Sequence, residues 1–142
     1  MNGAGVNGAV ANTIPGLLID AVGRGPDAIA VVDGDERVTY GELAERVRSF
    51  GAALIERGVE AGDRVAIWAP NSVRWIVAMF GASSAGATIV PVNTRFKGDE
   101  AAAILRRSGA RVLVTVSEFL GADYVAMLRA GDPGLEIDTI VD

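Results

Sequence analysis

Cysteine and histidine are both absent from the 142-residue sequence. Their absence excludes disulfides, thiolate chemistry, imidazole bases and the usual zinc ligands. Lys97 is the only lysine among 13 basic residues, and no phosphate loop of the G-x-x-x-x-G-K-[ST] type surrounds it. The formal net charge of −5 argues against a nucleic-acid-binding protein and against an anionic membrane surface, because both require a basic face.

A stretch without any charge, WIVAMFGASSAGATIVPVN at residues 75–93, is almost long enough to span a membrane. The order of residue types favours two shorter buried elements instead. Ser72 can cap a helix, and the apolar residues after it recur at helical spacing. Gly86 is a good helix stop, and the β-branched, proline-containing TIVPV that follows suits a strand. We therefore predict a helix over 72–85 and a strand over 88–92.

The first eleven residues, MNGAGVNGAVA, show no hydrophobic period, and we expect residues 1–11 to form a flexible tail. Gly3, Gly5 and Gly8 spell G-x-G-x-x-G, but no strand precedes them, so the dinucleotide-binding interpretation has no structural context. Residues 12–142 are then expected to form the folded part of the chain.

Local signals after the tail predict a short helix, a hairpin and a long helix. The hairpin turns at Asp33-Gly34 between two apolar runs. Thr39 and Glu42 have the spacing of a capping box, so the long helix is expected to begin there.

The rest of the chain alternates between strands and helices. Strands are predicted over 64–69, 88–92, 111–116 and 136–141, with helices over 72–85, 99–108 and 117–130, the last capped by Ser117. Apolar strands alternating with helices predict an α/β fold: a mostly parallel β-sheet with helices on both faces, plus an N-terminal β-hairpin. Trp68 and Trp75 are interpreted as core or core-edge aromatics, and Tyr124 as one of the apolar residues of the helix predicted over 117–130.

Polar residues follow three of the predicted strands, where ligands bind in sheets of this kind. They are Pro70-Asn71-Ser72, Asn93-Thr94-Arg95 and Ser117-Glu118. Most of them are explained as helix caps or turn residues. Arg95 is different, because a guanidinium just past a strand end can hold a phosphate with paired donors, although it can equally pair with Asp99 or Glu100 on the surface. No residue pair suggests a catalytic or metal role.

Three segments together resemble a known family. They are VTYGELAERVRSFGAALIERGVEAGDRVAIWAPNS (38–72), AMFGASSAGATIVPVNTRF (78–96) and DEAAAILRRSGARVLVT (99–115). Their order and spacing resemble the N-terminal region of AMP-forming acyl-CoA synthetases, and are most similar to bacterial, actinobacterial-type fatty-acid–CoA ligases. The resemblance covers about residues 13–142.

The resemblance implies a two-step reaction using ATP, Mg²⁺ and coenzyme A, in which a carboxylic acid, expected to be a fatty acid, becomes an acyl-adenylate and then a thioester. It implies that residues 12–142 are the N-terminal subdomain of this incomplete adenylating-enzyme fold, truncated before the ATP phosphate loop and inactive alone. By the same resemblance, Arg95 would contact a phosphate of coenzyme A. A cytoplasmic location is expected, since the first cation is Arg24 and no signal-peptide n-region is present.

The alternative is a stand-alone, non-catalytic module that binds nucleotide or coenzyme A, or that dimerises through exposed apolar surface. Calorimetry on the 142-residue chain distinguishes the two. If the chain is one part of a ligase, it is expected to bind neither ATP nor coenzyme A appreciably. Micromolar, salt-sensitive binding of coenzyme A that is lost in Arg95→Ala would contradict this expectation and support the module.

Overall fold

A computed structural model describes residues 12–141 of the chain. The predicted tail and its G-x-G-x-x-G pattern lie outside these described residues. The chain divides into two compact units. The helical unit comprises the chain up to Gly58 together with Ser72–Ala85, and the sheet unit comprises Val59–Asn71 together with the chain from Gly86 onward.

Between residue 12 and Ser84, the described part of the helical unit contains three helices and one hairpin. Its elements are α1 (Ile14–Arg24), β1 (Ile29–Asp33), β2 (Glu36–Thr39), α2 (Tyr40–Glu56) and α3 (Val73–Ser84). The strands β1 and β2 pair antiparallel, and the turn between them uses Gly34 at φ +58°, a conformation that glycine adopts without steric cost. The predicted hairpin and long helix are therefore confirmed.

Side-chain caps set the starts of α1, α2 and α3. Thr13 accepts a hydrogen bond from Gly16 N at 3.0 Å, and Ser72 accepts one from Trp75 N at 3.1 Å. At the start of α2, Glu42 N donates to Thr39 Oγ1 while Thr39 N donates to Glu42 Oε2, which completes the predicted capping box. These bonds satisfy amide groups that have no partner within their own helix.

The helices of this unit pack around an apolar core and a close helix–helix contact. The core comprises Leu18, Val38, Leu43, Val47 and Val73. The helices α2 and α3 meet at Gly51 and Gly81, where a Cβ on Gly51 would lie 3.0 Å from Gly81 O. The hairpin is tied to α3 as well, because Val73 N donates to Asp33 Oδ2 at 3.0 Å.

The sheet unit is built on four parallel strands. They are β3 (Arg64–Trp68), β4 (Thr88–Pro91), β5 (Val112–Thr115) and β8 (Asp138–Val141), in the order β4-β3-β5-β8. The central strands β3 and β5 are apolar and buried from Val65 to Trp68 and from Val112 to Thr115, as parallel strands covered on both faces should be. The predicted α/β class with a parallel sheet is confirmed.

Two helices and a short hairpin complete the unit. They are α4 (Gly98–Ser108), α5 (Tyr124–Gly131) and the antiparallel pair β6 (Glu118–Phe119) and β7 (Ala122–Asp123). Side chains of α4 and α5 pack with alternate residues of β3 and β5 in one cluster, which includes Ala66, Trp68, Leu105, Leu113, Tyr124 and Leu128. This cluster is the apolar core of the sheet unit.

The helix predicted over 117–130 is wrong in its first turns. Ser117 does not cap a helix; the chain instead forms the β6–β7 hairpin, whose turn uses Leu120 at φ +51° and Gly121 at φ +77°. The helix α5 begins only at Tyr124, where Asp123 Oδ1 accepts a hydrogen bond from Ala126 N at 2.8 Å. A left-handed pair of residues cannot continue a right-handed helix, so the turn decides the outcome.

The uncharged stretch at 75–93 is confirmed as two separate elements, α3 and β4. Among the described residues, no helix combines the length and apolar character needed to cross a bilayer.

Gly98 allows α4 and α5 to approach backbone to backbone. A Cβ at this position would collide with the main-chain oxygen of Met127, and one on Gly131 would collide with the backbone of Asp99. We predict that Gly98→Ala lowers the free energy of unfolding by about 3 kcal/mol, because one helix must move to admit the methyl group. Urea denaturation measures the change.

The matched control is Gly134→Ala, whose added Cβ would meet only ordinary contacts at 3.7 Å. It is expected to change the free energy of unfolding by less than about 0.5 kcal/mol. If the two variants unfold at the same urea concentration, the α4–α5 contact is looser than described.

Candidate functional site

The polar residues expected at the carboxyl end of β4 form one compact turn. Val92 N donates to Ile67 O at 2.9 Å, which carries the pairing with β3 one residue beyond the strand. Asn93 Oδ1 then accepts a hydrogen bond from Arg95 N at 2.9 Å, and Phe96 N donates to Asn93 O at 3.1 Å. Asn93 is therefore a turn-forming residue, as an asparagine that binds the backbone two residues on should be.

Two buried aromatic side chains hold this turn from beneath. Trp68 Nε1 donates to Asn93 O at 3.0 Å, and the hydroxyl of Tyr124 donates to Thr94 O at 2.8 Å. Trp68 is completely buried and Tyr124 is 2% exposed. Consecutive carbonyls of the turn are thus bonded to side chains that come from β3 and α5.

The two rings also stack on each other. Their centroids are 4.4 Å apart with an interplanar angle of 22°, and Phe119 meets Tyr124 edge to face. Burial raises the pKa of Tyr124 above its ordinary value, so its hydroxyl stays protonated to a higher pH than that of an exposed tyrosine. Behind the rings, the buried Thr115 hydroxyl donates to Trp68 O at 2.8 Å, joining the ends of β3 and β5.

Arg95 projects from this braced turn into solvent. Its side chain is exposed and makes no hydrogen bond or ion pair with any residue between 12 and 141. The alternative of a surface pair with Glu100 does not form; Glu100 Oε2 instead accepts a hydrogen bond from Lys97 N at 2.8 Å. Asp99, in the first turn of α4, does not pair with Arg95 either. The guanidinium is therefore available to an incoming anion.

The other polar residues predicted near strand ends have structural roles or none that the structure shows. Ser72 caps α3, and Glu118 lies in the β6–β7 hairpin. Asn71 and Ser117 are exposed. Within the described part of the chain, no group of three or more His, Cys, Asp or Glu side chains could hold a metal ion.

The chemistry that this site can perform is therefore anion binding rather than bond making. A guanidinium offers planar paired donors that match phosphate oxygens. Sequence reasoning missed the part that Trp68 and Tyr124 play in the site, because it identifies Trp68 only as a core or core-edge aromatic and Tyr124 only as an apolar residue of a predicted helix. The signal was that each carries a polar tip, and a buried indole N–H or phenol hydroxyl usually has a hydrogen-bond partner.

Comparison with known proteins identifies the class of protein that this fold defines. Residues 18–142 match the family of AMP-binding enzymes. The chain therefore belongs to that family, and the predicted resemblance is confirmed.

Individual relatives agree with this assignment. The chain is 43% identical over 129 residues to a protein of Rhodococcus jostii (strain RHA1). That protein is named 3-[(3aS,4S,7aS)-7a-methyl-1,5-dioxo-octahydro-1H-inden-4-yl]propanoyl:CoA ligase. The alignment covers 91% of this chain and 25% of that protein. A medium/long-chain-fatty-acid–CoA/3-oxocholest-4-en-26-oate–CoA ligase of Mycobacterium marinum is 32% identical over 94% of this chain and 24% of its own length. The chain thus spans about a quarter of the curated relatives it matches.

Solved structures show the same fold. The N-terminal domain of FACL13 from Mycobacterium tuberculosis superposes with a TM-score of 0.81 at 32% identity, covering 92% of this chain and 34% of that one. A fatty acyl CoA synthetase of Mycobacterium tuberculosis gives a TM-score of 0.81 at 31% identity, with 92% and 26% covered.

Proposed function

We propose that the gene product containing this chain is an AMP-forming acyl-CoA ligase. A carboxylate oxygen of the acid attacks the α-phosphorus of ATP, which gives acyl-adenylate and pyrophosphate. The thiol of coenzyme A then attacks the acyl carbon, and AMP leaves as the thioester forms. Mg²⁺ would offset the phosphate charge, with ligands from outside residues 12–141. These reactants meet in the cytoplasm, where we place the enzyme.

The similarity to the Rhodococcus ligase is the observation that supports this proposal most strongly. That protein, at 43% identity, and a Mycobacterium tuberculosis protein with the same name, at 48% identity, are both named for a fused-ring propanoic acid. The relatives named for fatty acids and a cholestenoate stand at 32%. We therefore place a carboxylic acid attached to fused saturated rings first among substrates, with medium- and long-chain fatty acids second.

Arg95 is the residue of this chain that we assign to coenzyme A. The Arg95 guanidinium is exposed and has no partner among residues 12–141, and it is carried on a turn at the carboxyl end of a parallel sheet, which suits a nucleotide phosphate. Other basic groups would come from the rest of the enzyme. A homodimer through exposed apolar side chains such as Leu17 and Ile19 remains the alternative for the helical unit, where these residues are 58% and 62% exposed.

Pyrophosphate exchange into ATP tests the reaction and the acid together. With the gene product that contains this chain, a fused-ring propanoic acid is expected to support exchange with a kcat/KM at least about tenfold above that of decanoic or palmitic acid, since each misfitted methylene costs about 1–3 kcal/mol. Benzoic acid serves as the small control. Faster exchange with a fatty acid would reverse the order of substrates, and no exchange with any acid would refute the ligase assignment.

Removal of the guanidinium tests the coenzyme A contact. Arg95→Ala is expected to raise the KM for coenzyme A about tenfold, because a charge-assisted hydrogen bond contributes roughly 1.5–3 kcal/mol. The KM for ATP in pyrophosphate exchange should change much less, and added salt should shrink the difference between variant and parent.

Arg107→Ala is the matched control. Arg107 is an equally exposed arginine, but it lies in the last turn of α4, at the other end of the helix from the Arg95 turn. Its removal changes the net charge by the same amount. If both variants raise the KM for coenzyme A equally, the effect is one of overall charge and the contact is refuted.

A further inference from the structure

The turn that carries Arg95 is held at the amide of that residue and at the two residues before it. The amide of Arg95 donates to Asn93 Oδ1 at 2.9 Å. The carbonyl of the preceding residue, Thr94, accepts the Tyr124 hydroxyl at 2.8 Å, and the carbonyl before that, on Asn93, accepts the Trp68 indole at 3.0 Å. The backbone at Arg95 is therefore fixed by three hydrogen bonds, while its side chain reaches solvent.

This arrangement differs from ordinary core packing. A buried tyrosine or tryptophan needs only some acceptor for its polar tip, and a strand or helix carbonyl would serve. Here both tips bind the same exposed turn, and the two rings stack at 4.4 Å, so the acceptors are held as a pair. An ordered turn does not have to lose conformational freedom when a ligand binds, which increases affinity without adding a contact.

We infer that Tyr124 and Trp68 are positioning residues for Arg95, and through it for the phosphate of coenzyme A; this inference rests on the proposed function. The hydroxyl of Tyr124 is the part that can be removed cleanly. Phenylalanine at this position keeps the ring that stacks on Trp68 and loses only the bond to Thr94 O. Trp68 is completely buried, so its replacement by phenylalanine is a second, harsher test.

The test is a double-mutant cycle between Tyr124→Phe and Arg95→Ala in the gene product that contains this chain. Tyr124→Phe is expected to raise the KM for coenzyme A about threefold or more, beyond any change in the KM for ATP measured by pyrophosphate exchange. In the Arg95→Ala background, the same replacement should have no further effect on the KM for coenzyme A, since there is no guanidinium left to position.

Tyr40→Phe is the matched control, because Tyr40 is the other tyrosine of the chain and lies at the start of α2 in the helical unit. It should leave the KM for coenzyme A unaltered. Hydrogen exchange gives a structural readout: Tyr124→Phe should speed exchange at the amides of Arg95 and Phe96, and Tyr40→Phe should not. Trp68→Phe should behave as Tyr124→Phe does, if the variant remains folded by circular dichroism.

The outcomes separate the two proposals. If Arg95→Ala raises the KM for coenzyme A and Tyr124→Phe does not, the positioning role is overturned while the coenzyme A contact stands. The positioning role is overturned in the same way if the two effects are fully additive, because Tyr124 would then act through general stability. If Arg95→Ala itself has no effect, both the contact and the positioning role fail.

Discussion

Parallel pairing of β3 with both β4 and β5 is the constraint on which the rest of the sheet unit depends. It places the ends of these strands side by side and buries β3 from Val65 to Trp68 and the whole of β5. Where the chain leaves such a sheet, its buried backbone carbonyls no longer pair with a neighbouring strand and need other hydrogen-bond donors close by. The indole of Trp68, the phenol of Tyr124 and the hydroxyl of Thr115 supply those partners at the carboxyl edge. Because these hydrogen bonds order the carboxyl edge of the sheet, the exposed turn there carries the backbone of Arg95 in a defined position.

The sequence predicts those features whose cause is local. The capping box of Thr39 and Glu42 joins residues three apart, so its spacing can be read directly. The strands at β3 and β5 are readable because complete burial makes them continuously apolar. The bonds that brace the Arg95 turn cannot be read in this way. They join Trp68 to Asn93 across 25 positions and Tyr124 to Thr94 across 30, and no local pattern encodes such a distance.

The error at Ser117 has a physical cause that a pattern could not resolve. Ser117 and Asp123 are both good caps, and apolar residues follow each at helical spacing. The choice between them depends on whether the residues between can turn left-handed, which Leu120 and Gly121 do. The resulting hairpin delays α5 until Tyr124, and this delay makes Tyr124 the first residue of the helix, beneath the Thr94 carbonyl. One of the side chains that brace the candidate site thus lies where prediction failed.

The contribution that we propose for this segment is anion binding. Catalytic groups for adenylation are not expected from these residues, and the candidate site is a place for holding an anion. A chain that spans about a quarter of its curated relatives still contains the turn at residues 93–96 together with the side chains that brace it. The side chains beneath the turn match it chemically: the indole and the phenol each donate one hydrogen bond, and the turn offers two carbonyl acceptors.

The helical unit is assembled from two stretches of chain, one ending at Gly58 and one beginning at Ser72, with β3 of the other unit between them. During synthesis, α2 therefore emerges from the ribosome well before the helix that packs on Gly51. Until α3 has been made, the α2 surface around Gly51 stays uncovered, and the carboxylate of Asp33 has no helix amide from which to accept a hydrogen bond. Neither unit can be excised by a single cut, so a shortened version of this protein that ends near residue 58 would lack a finished core.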